Sequence, residues 1–158
     1  MRSTIDHQKT KFYQAEHQAI IEHYQEHGKE ILGLDEAQWF LNDIKSSAYY
    51  KKHNGSPDLT LELFERRKEV IGYYSHKKNC IFLDPDEMTE INICHEVAHH
   101  LQFQISDDLP AHGPVFTTFY LALVFTINNN GYFSTLFNSL LEHDVDYYHG
   151  RLEADLLL

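Results

Sequence analysis

The spacing of hydrophobic positions changes several times along the chain. From Thr4 to His27, Phe12, Ala15, Ala19, Ile20 and Tyr24 recur at three- and four-residue steps, which predicts a helix, with Gly28 as its stop. A second helix is expected from a cap near Asp35, carrying Ala37, Trp39, Phe40, Leu41 and Ile44. Lys51 to Pro57 is polar and reads as a loop. Beyond it the period falls to two. Leu59, Leu61 and Leu63 alternate, Val70, Ile71, Tyr73 and Tyr74 form a second run, and Cys80-Ile81-Phe82-Leu83 a third. Ser75 to Asn79 is a hairpin-like connection.

Asp84-Pro85-Asp86-Glu87 has the order of a helix start: Asp as cap, Pro first, Glu third. It predicts a helix from Pro85 to about Gln104, with Ile91, Cys94, Ala98, Leu101 and Ile105 as its core stripe. Pro114 can open another helix. Phe116 to Ile127 is apolar nearly all round, which places that helix in the middle of the core. Asn128-Asn129-Asn130-Gly131 should break it before an amphipathic helix from Tyr132 to Leu141. Residues 143–158 are mixed and read as a tail, whose terminal leucines dock or fray. These elements predict one α+β domain spanning residues 1–158. It would hold N-terminal helices, a small three-stranded antiparallel sheet, the helix that starts at Pro85, and a buried C-terminal helix.

Composition narrows the functional classes. The 158 residues carry a formal charge of −11, which disfavours nucleic acid and anionic membranes as partners. Residues 51–78 run against this balance, and Arg66, Arg67 and Lys68 there form a basic patch. A solvated strand face is its ordinary explanation, and weak contact with phosphates the functional one. Two cysteines, Cys80 and Cys94, cannot make a disulfide framework or a four-cysteine zinc site. The start has no apolar leader, and the longest apolar stretch is too short to span a bilayer. A cytoplasmic, reducing location is expected. Histidine is abundant, with 12 residues.

Two of those histidines, in His95-Glu96-Val97-Ala98-His99, lie four apart within a predicted helix. Residues at i and i+4 stack on one helix face, so both imidazoles can reach one zinc ion. Glu96 then sits where its carboxylate can take a proton from water. His112 follows in Ala111-His112-Gly113-Pro114-Val115-Phe116. Three histidines match the ligand count of a catalytic zinc site, which keeps its fourth position open. Asp107 or Asp108 could replace His112 as third ligand, and a solvated loop is the plainer reading of both.

The pair of motifs, His95-Glu96-Val97-Ala98-His99 and then His112-Gly113-Pro114-Val115-Phe116, resembles the SprT-like zinc metallopeptidases, which include the Spartan proteases. The resemblance covers about residues 80–125. It implies a zincin-like fold, zinc on His95, His99 and His112, and Glu96 as general base in peptide-bond hydrolysis. It also implies that the strand before the motif helix, Cys80–Leu83, aligns a protein or peptide substrate as an added strand. The four-cysteine ribbon that many members carry is absent, and the acidic charge departs from the DNA-dependent members. Two other functions stay open: a zinc-holding module that binds a partner with little turnover, and a DNA-associated protease.

Other residues have a bland reading beside the functional one. His23-Tyr24-Gln25-Glu26-His27 matches the inverted zinc motif, but it ends at Gly28, where a histidine also complements the helix dipole. His100 points about 100° away from the proposed zinc face and reads as a polar surface residue. Cys94 reads as a buried thiol, Glu142 and His143 only imitate a distant glutamate ligand, and Tyr120 is one of several tyrosines able to donate to a transition state.

Overall fold

The computed structural model describes residues 5–65, 70–127 and 130–156. Within them, seven helices and three strands form two compact units. One is drawn from residues 29–105, and the other from residues 1–28 and 106–158. Among the described residues no helix is long and apolar enough to cross a membrane.

The unit of residues 29–105 begins with α2 (Leu34–Ser46; α1 belongs to the other unit), capped by Gly33 rather than Asp35. Asp35 and Glu36 fall in its first turn and Lys45 in its last, complementing the helix dipole. Ala37, Leu41 and Ile44 face inward, while Trp39 is 67% exposed. The first two residues of the expected loop, Lys51 and Lys52, instead end a short helix, α3 (Ala48–Lys52), which Ser47 caps by accepting the Tyr50 N–H. Three strands follow: β1 (Thr60–Leu63), β2 (Gly72–Ser75) and β3 (Cys80–Leu83).

The sheet is mixed, not antiparallel. Its order is β1-β3-β2, with β1 parallel and β2 antiparallel to β3. Strand directions match those of a simple meander; what differs is which strand lies in the middle. All four residues of β3 are buried, whereas β2 is half-buried. The strand that is apolar on both faces takes the centre, where both faces can be covered. Each backbone edge of β3 is therefore paired, so Cys80–Leu83 cannot accept an added substrate strand.

The predicted start at Asp84 gives only a 3-10 turn, Pro85–Glu87, in which Asp84 accepts the Asp86 N–H at 2.8 Å. The chain then breaks at Met88 and restarts as α4 (Glu90–Ile105). Thr89 accepts the Asn92 N–H at 3.2 Å and acts as the true cap. Ile91, Cys94, Ala98 and Leu101 are buried as the stripe predicts, but Ile105 is exposed at the helix end.

In the other unit, α1 (Lys9–His27) buries Phe12, Ala15 and Ala19. It ends at Gly28, whose φ of 81° suits glycine and whose N–H reaches the Tyr24 carbonyl at 2.8 Å. Helix α5 (Pro114–Thr126) is buried continuously from Phe116 to Val124. It packs against α6 (Asn130–Glu142) and α7 (His149–Leu156), and α1 packs on α6. The hydroxyls of Thr117 and Thr118 donate to the carbonyls of Gly113 and Pro114, which satisfies them inside the apolar helix. Gly131 lies in the first turn of α6 rather than in a break, and residues 128–129 and 157–158 lie outside the described residues.

Candidate metal centre

Helix α4 presents His95 and His99 one turn apart, with ring centroids 5.0 Å from each other. His95 is buried and His99 half-buried. Glu96, on the next step of the helix, is also buried.

His112 sits just before α5 and is buried. Its backbone N–H and its Nδ1 both face Asp6 Oδ2, each at 3.0 Å. A carboxylate can only accept, so Nδ1 carries the proton and Nε2 the lone pair. The Tyr13 hydroxyl donates to that Nε2 at 3.0 Å. Gln8 donates to the His112 carbonyl at 2.9 Å, and Phe12, Tyr13 and Phe116 pack round the ring with centroids 4.7–5.4 Å away. The imidazole is thus held in one tautomer and one orientation, which is how metal-ligating histidines are prepared.

One ligand atom from each of His95, His99 and His112 lies within 4.8 Å of the others, and among the described residues this is the group of three or more such side chains that could hold a metal ion. The donor set fits. Three imidazole nitrogens with a fourth position left open are the donor set of a catalytic zinc site. Three neutral nitrogens suit zinc and its first-row divalent neighbours alike.

The remaining sequence candidates fall elsewhere. Asp107 and Asp108 are exposed and outside the cluster. Glu142 accepts from Gln18, and His143 bonds the Ser139 carbonyl. Tyr120 is buried in the core, where its hydroxyl meets the Tyr132 hydroxyl and the Glu16 carboxylate, and burial raises its pKa well above the ordinary value. Cys94 is a buried thiol whose pKa burial pushes up. Arg66, Arg67 and Lys68 lie outside the described residues.

His100 is not a surface residue. It is fully buried, stacks on Tyr50, and accepts the Ser56 N–H at Nε2, 2.9 Å away. Its proton is therefore on Nδ1, which donates to the Tyr74 hydroxyl at 2.9 Å. Burial lowers its pKa to about 4 and keeps the ring neutral.

Asp6, Gln8 and Tyr13 were not predicted to serve the site. They stand about 100 positions before His112, and nothing in their local pattern marks them. The chain matches no protein-family model, no curated protein and no solved structure.

Proposed function

We propose that this chain is a zinc-dependent peptide hydrolase of the SprT-like kind, in which His95, His99 and His112 hold the ion and Glu96 is the general base. The observation that supports this most strongly is the convergence of the three imidazoles, two of them on the helix that also carries Glu96.

A zinc ion held by these residues would polarise the scissile carbonyl and bring the pKa of a water toward roughly 7. The chain's own groups do the rest. Asp6 fixes His112 in the tautomer whose Nε2 carries the lone pair and adds negative charge behind the ring. Burial of His95, Glu96 and His112 limits competing water. Glu96 takes a proton as the water oxygen bonds the carbonyl carbon, then passes it to the amine as the carbon–nitrogen bond breaks. A protein that merely held zinc to bind a partner would have no use for that carboxylate.

Purification without chelator, metal analysis and a casein cleavage assay test the proposal. We expect one equivalent of zinc, lost in His95→Ala, His99→Ala and His112→Ala. Cleavage should stop with 1,10-phenanthroline and return with added zinc. Metal retained by all three variants, or cleavage indifferent to the chelator, contradicts it. Zinc bound without cleavage of any unfolded substrate favours the binding module instead.

A further inference from the structure

The histidine pair at the end of α1 has no part in the proposed reaction. His23 and His27 are separated by one helical turn, with ring centroids 4.8 Å apart, close to the 5.0 Å of the His95–His99 pair. Three further observations bear on what this pair can do.

The first is an orphaned atom. His23 is wedged against Tyr132, with centroids 5.3 Å apart, and its Nδ1 is buried with no hydrogen-bond partner. A buried imidazole nitrogen without a partner is uncommon and unfavourable. The second is a notch. A Cβ built on Gly131 would lie 3.3 Å from His27 Nε2 and 3.9 Å from His23 Cε1, the carbon bonded to that Nδ1. Both rings therefore turn toward the same place on α6, where the absence of a side chain leaves room. The third is charge. The Glu26 carboxylate is 3.7 Å from His27 Nε2, and the pair occupies the negative end of the helix dipole. His27 is 48% exposed, so the pair is reachable from solvent.

We propose that His23 and His27 form a second, weaker metal site that takes a borderline first-row divalent cation through two imidazole nitrogens. Copper, nickel and zinc are the ions such donors favour. Waters complete the coordination, since no third protein ligand stands with these two among the described residues. Burial and the neighbouring His27 lower the His23 pKa, which keeps that ring in its ligand-competent neutral form near pH 7. The proposal is independent of the three-histidine site and holds whether or not the chain is a peptidase.

The test titrates the full chain with Cu2+ alone, followed by electron paramagnetic resonance and visible absorption. Wild type should bind one equivalent more than His27→Ala, and the lost signal should show nitrogen hyperfine structure. His23→Ala should lose the same equivalent, with affinity falling at least about tenfold. Gly131→Ala should weaken it by placing a methyl group in the notch. His149→Ala, which alters another exposed histidine, should leave the count unchanged. His27 is half exposed, so its substitution is expected to leave circular dichroism intact even if His23→Ala disturbs packing. Equal stoichiometry and affinity in wild type and His27→Ala overturn the site, and so does loss of the same equivalent in His149→Ala.

Discussion

Removing the carboxylate behind His112 should weaken the metal centre from outside its ligand set. Asp6 Oδ2 accepts both the backbone N–H and the Nδ1–H of His112, and the Asp6 side chain is 14% exposed. Asp6→Ala deletes both bonds. Hydrogen bonds to charged groups contribute about 1.5–3 kcal/mol each. Because two donors share one partly solvated oxygen, a combined loss of about 2–3 kcal/mol in unfolding free energy is expected. Carboxylates behind metal-bound imidazoles are worth about 10–100-fold in affinity, so zinc should bind weaker by about 1.4–2.7 kcal/mol. Asp6→Asn separates charge from geometry. Its carbonyl can keep both bonds, while its amide nitrogen replaces Oδ1, which is buried without a partner among the described residues. It should therefore lose about tenfold in affinity, at the lower end of that range. Competition against a chromophoric chelator gives the affinities, and urea unfolding of metal-free protein gives the stabilities. Wild-type zinc affinity in both variants, with stability alone reduced, would refute the positioning role.

Other consequences are quick to check. Tyr13→Phe removes a hydroxyl that competes for the His112 Nε2 lone pair, so metal affinity should rise about 2- to 12-fold, the equivalent of about 0.5–1.5 kcal/mol. Weaker binding would mean that the hydroxyl supports the ion instead. His100 has a folded pKa of about 4 against 6.5 when exposed, so its contribution is whole above pH 6.5 and declines as pH falls toward 4. That interval amounts to about 3 kcal/mol at 1.36 kcal/mol per unit, and an NMR titration showing the ring protonated near pH 6.5 would contradict it. Cys80 and Cys94 are buried with raised pKa values, so neither should react with a thiol reagent until urea unfolds the chain.

The parts of this fold that were legible in the sequence are those set by local periodicity. Helix α5 is apolar all round and is buried all round, and β3 has the bounds its apolar run suggests. The His95–His99 pair was legible for the same reason, since i and i+4 spacing is a property of one helix. Sheet order was not, because alternation within a strand does not say which strand needs both faces covered. His100 shows the same gap: its helical angle gives a direction, but Ser56 and Tyr74, which cover it, come from other elements. The cap at Asp84 carried the right residues, yet the backbone break at Met88 passes the helix start to Thr89. Asp6 and Tyr13 were illegible because their roles exist only once α1 and the His112 turn pack together.

A carboxylate at Glu96, beside the ligands, is required only if water must be deprotonated. Glu96→Gln keeps the shape of the side chain and a polar head but cannot act as a base. Zinc content and casein cleavage are therefore measured together, wild type against this variant. Both should hold full zinc, with cleavage by the variant reduced by at least the roughly 10²–10⁴ that general base catalysis supplies. Equal cleavage by both proteins at equal zinc would contradict it.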